Sequence, residues 1–266
     1  MSGMRKILIV GNWKMHLNVQ ESSLLAQRLD ERIKTHRNIE VVLAPSFLAL
    51  QPLLMQINHR KFRLAAQDAY HKDEGAYTGE VSFAMMDDLV RYVIVGHSER
   101  RLYFNETLET IQDKMAAAIR NNISPILCVG ETKLERVAGE TKRVLHDQLT
   151  TALASVTSEE IDRIVIAYEP VWAISTFGGE LAKPDEVQIE LKFIRQQIVD
   201  LYGAQAAREV RLLYGGSVDE QIVRGYLELE GCDGALVGGA SLHYYKFSEI
   251  VAVAERLQYE QAKKGN

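Results

Sequence analysis

The chain has 266 residues, with 31 Lys plus Arg, 36 Asp plus Glu, 47% hydrophobic and 25% charged residues. Those proportions exclude a disordered or fibrous chain. A net charge of −5 and a pI near 5.9 exclude general attraction to nucleic acid or an anionic membrane, so an anionic ligand needs a local basic group.

The first apolar run, residues 6–10, is short and β-branched, the pattern of a buried strand. It is too short for a secretory leader, and Gly11-Asn12-Trp13-Lys14 ends it. Residues 19–36 follow with helical periodicity: Leu24, Leu25, Leu29 and Ile33 share a face. The alternation then repeats. Strands are expected at 39–44, 62–66, 92–95, 125–129, 164–167, 210–213 and 235–237. Helices are expected at 108–122, 133–156, 184–202, 218–229 and 247–264, with shorter ones at 49–57 and 84–91. Pro184 suits a first helical turn, and Ser217-Val218-Asp219-Glu220 fits a capping box.

No Pro-, Gly- or Ser-rich linker divides the chain, so one domain over 1–266 is expected. Strands alternating with helices imply parallel strands joined by right-handed crossovers. Such strands close into a barrel or form an open doubly wound sheet. The length approaches the roughly 250 residues of a (β/α)8 barrel. No Gly-x-Gly-x-x-Gly follows the first strand, which weakens the dinucleotide-binding alternative. The expected class is therefore α/β, a (β/α)8 TIM barrel. Cys128 and Cys232 are the only cysteines and read as free thiols of a reducing compartment, the cytoplasm. No apolar segment approaches the roughly 18 residues of a membrane span.

Polar and glycine residues collect just after the strands: Asn12 and Lys14; Gln67 and Asp68; His97, Ser98 and Glu99; Glu131; Glu169; Gly215, Gly216 and Ser217; Gly238 and Gly239. A barrel brings these ends to one face, where barrel enzymes hold their sites. Strand alternation puts Asn12 and Lys14 on one side, and likewise His97 and Glu99. A carboxylate at Glu99 beside Lys14 favours the charged amine. The glycine pairs let backbone approach an anion, and Ser217 adds a hydroxyl at an expected helix start. No His-x-x-x-His, Cys-x-x-Cys or Gly-x-Ser-x-Gly occurs, so no metal site or serine-hydrolase elbow is expected.

Each residue alone also has a plain structural reading. Lys14 can be a solvated strand-end lysine, His97 a hydrogen-bonded core histidine, and Glu169 a turn acceptor before Pro170. Ser217 can be only a helix cap, the glycines only turns, and Cys128 only core. Their joint occurrence at successive strand ends favours the functional reading.

Across nearly its whole length the chain resembles the triosephosphate isomerase family. The resemblance is carried by Gly11-Asn12-Trp13-Lys14-Met15, Gly75-Ala76-Tyr77-Thr78-Gly79-Glu80, Gly96-His97-Ser98-Glu99-Arg100-Arg101, Cys128-Val129-Gly130-Glu131, Tyr168-Glu169-Pro170-Val171-Trp172-Ala173-Ile174, Tyr214-Gly215-Gly216-Ser217-Val218 and Leu236-Val237-Gly238-Gly239-Ala240-Ser241. It implies interconversion of dihydroxyacetone phosphate and glyceraldehyde 3-phosphate without a cofactor or metal. It casts Glu169 as base, His97 as neutral electrophile, Lys14 as cation for substrate and enediolate, Asn12 as an orienting group, and Glu99 as partner of Lys14. Ser175, Ser217, Gly238 and Gly239 are implied as phosphate-binding residues, beside Asn12 and Lys14. The loop around Thr78 implies a homodimer; no nucleic acid or membrane partner is implied.

The family pattern is broken in places. The lid from Ser175 to Lys183 is longer, His16 and Asp68 replace usual asparagines, and Asn105 replaces a usual glycine. The longer lid opens the alternative of another small sugar phosphate, such as a four-carbon ketose phosphate. A Schiff-base lyase using Lys14 and a non-catalytic barrel are the remaining alternatives.

Overall fold

Every apolar run read from the sequence becomes a strand in the computed structural model, which describes residues 6–174, 176 and 179–264. The strands are β1 (Ile7–Asn12), β2 (Ile39–Ala44), β3 (Phe62–Ala66), β4 (Tyr92–Val95), β5 (Ser124–Val129), β6 (Val165–Tyr168), β7 (Arg211–Tyr214) and β8 (Gly234–Val237). These eight strands close into a barrel in chain order. β1 completes it by pairing in parallel with both β2 and β8.

Side chains alternate across each strand, and the two sets build two cores. Leu8, Val10, Val42, Ala44, Ala65, Tyr92, Ile94, Ile126, Cys128, Val165, Ala167, Leu213 and Leu236 fill the barrel interior. Ile7, Ile9, Val41, Leu43 and their equivalents pack outward against the helices. Counting the inner set two residues further gives Asn12, Gln67, Gly96, Gly130, Glu169, Gly215 and Gly238 at the C-terminal rim. The hydrophobic alternation that stabilises the barrel therefore also aims Asn12 and Glu169 inward.

The helices are α1 (Val19–Arg32), α2 (Phe47–Gln56), α3 (Ser98–Tyr103), α4 (Leu108–Arg120), α5 (Lys133–Val137), α6 (Thr141–Ala152), α7 (Pro184–Glu209), α8 (Val223–Leu227) and α9 (Tyr244–Lys264). Asn18 starts α1 with a full capping box to Glu21, and Pro184 takes the first turn of α7 as expected.

Several expected helices need correction. The 133–156 segment is two helices, because Gly139 adopts φ +74 and breaks the ladder between α5 and α6. Residues 84–91 give only a 3-10 turn at Ala84–Met86. α7 runs past 202 through Gly203, which is itself non-helical at φ 86. The 218–229 segment is helical only in α8. Ser217 starts no helix: Asp219 accepts from the N–H groups of Gln221 and Ile222 instead, and the expected capping box is not formed. Among the described residues no helix is long and apolar enough to cross a membrane.

Candidate active site

A cavity of about 400 Å³ opens at the C-terminal rim of the barrel. Asn12, Lys14, His97, Glu169, Gly215, Gly216, Ser217, Gly238 and Gly239 all line it. Ser175 lies outside the described residues. Glu131, Gln67 and Asp68 leave the same strand ends but serve as supports around the cavity.

Glu169 follows Ala167 on the inner side of β6 and is 2% exposed. Its Oε2 accepts from the Ser98 N–H at 3.3 Å, and its Oε1 lies 3.3 Å from His97 Nε2. Two glycines make room for it. A Cβ on Gly215 would sit 2.7 Å from Glu169 Cγ, and one on Gly130 would overlap the Glu169 carbonyl oxygen. Clearance for this carboxylate is therefore a requirement at Gly215 besides any approach to phosphate. Gly216 likewise makes way for the Tyr214 hydroxyl, which a Cβ at that position would overlap.

His97 and Glu99 reach the site by a route other than strand alternation. β4 stops at Val95, and its inner parity falls on Gly96. Gly96 turns the chain at φ +70, so His97 becomes the N-cap of α3 and Glu99 lies in its first turn. The Glu99 N–H donates to His97 Nδ1 at 3.2 Å. A ring nitrogen that accepts carries no proton, so the imidazole proton sits on Nε2, facing Glu169 and the cavity.

Lys14 also lies beyond its strand, at φ +52. Its N–H donates to Asn12 Oδ1 at 3.1 Å, while Gln67 Nε2 donates to the Lys14 and Ala44 carbonyls at 2.8 and 2.9 Å. The Lys14 ammonium pairs with Glu99 Oε1 at 2.6 Å, and the Thr176 hydroxyl donates to the same oxygen at 3.2 Å. Burial pushes the Glu99 carboxyl up, but the Lys14 hydrogen bond, the neighbouring His97, the Lys14 charge and the Thr176 hydroxyl together outweigh it and hold the group below its ordinary value.

Gly238 and Gly239 present backbone without side chains along the cavity wall. A Cβ at Gly239 would meet nothing within 4 Å. Ser217 faces the same wall, but both its N–H and its hydroxyl donate to the Ala173 carbonyl, at 3.0 and 2.7 Å. Ser217, implied by the resemblance to face phosphate, is thus tied to Ala173 just before the 175–183 loop.

Several residues support the cavity without lining it. Glu131 is fully buried and accepts from Trp172 Nε1 at 2.8 Å and Tyr168 Oη at 3.1 Å, fixing the front of the lid to the barrel. Tyr226, stacked on Tyr214, donates to the Ala182 carbonyl at 2.7 Å and fixes the rear. Arg101 binds the carbonyls of Gly96 and Cys128 at 2.7 and 3.0 Å, bracing the His97 turn from below. Strand parity could have flagged Tyr168 and Tyr214; Glu131 is singled out at its strand end, but neither its anchoring of the lid nor the bracing by Arg101 could be read from the spacing. Burial, and then the neighbouring Glu169 carboxylate, push the Cys128 thiol well up, so Cys128 is core.

Two of the positions read from the sequence as unlike the resembled family, Asn105 and Asp68, have a clear local setting. Asn105 sits at φ +53, a conformation asparagine tolerates better than most residues with a side chain. Asp68 joins Arg100, Lys114 and Glu106 in an ion network under the loop after β4, 2.9 Å from Arg100 and 2.6 Å from Lys114.

This geometry can be set beside known proteins. The family profile described as triosephosphate isomerase matches residues 7–254. The chain belongs to the triosephosphate isomerase family. The triosephosphate isomerase of Carboxydothermus hydrogenoformans is 45% identical over 249 residues, covering 93% of this chain and 98% of the relative. That of Citrifermentans bemidjiense is 44% identical over 253 residues, covering 95% and 100%. That of Clostridium tetani is 42% identical over 250 residues, covering 94% and 97%. The resemblance read from the motifs is therefore a property of the whole chain, and the barrel is the fold the family implies.

Proposed function

We propose that this chain interconverts dihydroxyacetone phosphate and glyceraldehyde 3-phosphate, with Glu169 as the base and His97 as the electrophile. The supporting observation is a buried carboxylate 3.3 Å from an imidazole Nε2 whose other nitrogen accepts a backbone N–H. Removing a proton beside a carbonyl needs a carboxylate shielded from water and a donor aimed at the oxygen where charge develops. Glu169 leaves its resting contacts with Ser98 and His97 and takes the proton from the carbon. His97 Nε2–H and the Asn12 side chain then face the carbonyl oxygen, and Lys14 offsets the negative charge of the enediolate. Glu99 positions Lys14. His97 gives its Nε2 proton to the former carbonyl oxygen and regains one from the neighbouring hydroxyl, and the proton on Glu169 returns to the adjacent carbon to complete the isomerisation.

The phosphate lies against Ser217, Gly238 and Gly239, with Ser175 completing the set. Ser217 is bonded to Ala173 at the lid base. Phosphate binding competes for that serine, so binding energy remote from the reacting carbons acts on the lid. The relatives' name specifies a triose phosphate, and the reaction needs neither cofactor nor metal. The 2.6 Å Lys14–Glu99 pair engages the lysine as an ammonium, which does not favour a Schiff-base lyase.

Assembly as a homodimer through the Thr78 loop, a single domain over 1–266 and a cytoplasmic location complete this reading. The free thiols Cys128 and Cys232 fit a reducing compartment. The deciding experiment is a coupled isomerase assay on wild type and Glu169→Asp. The shorter side chain withdraws the carboxylate by about 1 Å, and turnover is expected to fall about 100-fold or more. A Glu169→Asp enzyme with the wild-type rate would refute Glu169 as base.

A further inference from the structure

The cavity wall that faces the phosphate has an electrostatic problem. Its charged lining residues among those described are Lys14, Lys246, Glu169 and Asp219. Lys14 is already paired with Glu99 at 2.6 Å. Asp219 is two residues from Ser217, on the side where a dianion has to sit, and Glu220 follows it. Asp219 and Glu220 thus add negative charge beside the backbone that would hold the phosphate, and a further cation on this wall offsets it.

Lys246 is the cation placed to offset it. It lines the same cavity as Ser217, Gly238 and Gly239. Its ammonium is 4.0 Å from Glu220 Oε1, at the outer limit of an ion pair, and the side chain is 46% exposed. Its position is unfavourable for the helix that carries it. Lys246 lies in the first turn of α9, which has no acidic residue there. A lysine at a helix N-terminus opposes the helix dipole. The placement is thus explained by the cavity and not by helix stability.

We infer that Lys246 is the second cation of the phosphate wall, offsetting Asp219 and Glu220 so that the cavity accepts a dianion. This inference rests on the proposed phosphate site. Lys246 touches no reacting atom, so its effect belongs in binding and not in turnover.

The test compares wild type, Lys246→Glu and Lys246→Arg. The dissociation constant of inorganic phosphate is measured by calorimetric titration, and KM and kcat by the coupled assay. Each is taken at about 0.01 M and about 1 M ionic strength, where the screening length falls from about 30 Å to about 3 Å. At low ionic strength Lys246→Glu is expected to weaken phosphate binding and raise KM about three- to tenfold, with kcat within about twofold. The difference should vanish at high ionic strength, and Lys246→Arg should behave as wild type. The glutamate also suits the helix start, so the melting temperature should be unchanged or raised.

Equal phosphate affinity in wild type and Lys246→Glu at low ionic strength would overturn the inference. So would a loss that persists at high salt, a lowered melting temperature, or a wild type that binds no phosphate. The phosphate titration needs no turnover, so a failure of the isomerase reading shows separately, as wild type that binds phosphate but does not isomerise triose phosphates.

Discussion

At the scale of single residues, the site works by restricting where protons and charges can sit. The His97 ring is fixed by one backbone N–H from Glu99, and the Glu99 carboxylate is fixed by Lys14 and Thr176. Glu99 therefore has two tasks through two different groups. Its carboxyl is held below the ordinary 4.5 because Lys14, His97 and Thr176 together outweigh burial. For a lowered carboxyl, the stabilising contribution is complete above the unfolded value and is lost as pH falls through the lower folded value. The Lys14–Glu99 pair should accordingly persist at pH 4.5 and break only below it. Melting temperature followed against pH should show this acid limb in wild type, and Glu99→Gln should flatten it. A carboxyl-carbon NMR midpoint for Glu99 at or above 4.5 would contradict the assignment.

At the scale of elements, glycines decide where strands and helices stop and what can approach them. Gly96 converts the end of β4 into the start of α3 and delivers His97, which alternation alone would have turned away. Gly139 separates α5 from α6 at φ +74, with nothing within 4 Å of a Cβ built there. A Gly139→Ala change therefore meets only backbone strain and no clash. It should destabilise the protein by about 1 kcal/mol, read from denaturant unfolding, with isomerase turnover unchanged. An unchanged unfolding midpoint would mean that the helix break does not depend on the left-handed turn. The lid is held at both ends by buried side chains, Glu131 on Trp172 in front and Tyr226 on Ala182 behind.

At the scale of the whole molecule, one quadrant of the rim is unusually apolar. Met15 after β1, Leu48 in α2, Met85 after β3 and Phe104 after α3 are 96%, 80%, 62% and 64% exposed. They follow four consecutive strands of the barrel, so they occupy neighbouring sectors of one end. Between them the chain from Tyr70 to Ser82 projects as a loop, pinned at its base by the Tyr70 N–H to the Val81 carbonyl at 2.8 Å. Thr78 lies exposed near its tip. Exposed apolar side chains grouped with this loop are what the proposed homodimer contact would cover. Wild type is expected to show twice the 30.0 kDa chain mass by light scattering. Thr78→Arg, which buries a charge in that contact, should yield the single-chain mass and reduced turnover. A fully active wild type of single-chain mass would contradict the homodimer.

Short apolar runs alternating with helical periodicity by themselves determined the strands, and with the chain length and the missing Gly-x-Gly-x-x-Gly they favoured a barrel, because a buried strand's apolar run is a local property that needs no knowledge of the partner strands. The motifs likewise named the residues of the cavity, since they lie at successive strand ends. What only the tertiary structure decided was how those residues are held. Gly96 and the cap of α3, not alternation, place His97 and Glu99. Ser217 bonds to the lid and starts no helix. Gly215 is small for the sake of Glu169. Glu131 is a buried anchor away from the cavity, and Lys246 reaches the cavity wall from the start of α9. Each of these depends on contacts between segments far apart in the chain, and on backbone turns at positive φ. Neither leaves a periodic trace in the sequence, because the energy of a long-range contact resides in both partners and in the geometry that brings them together.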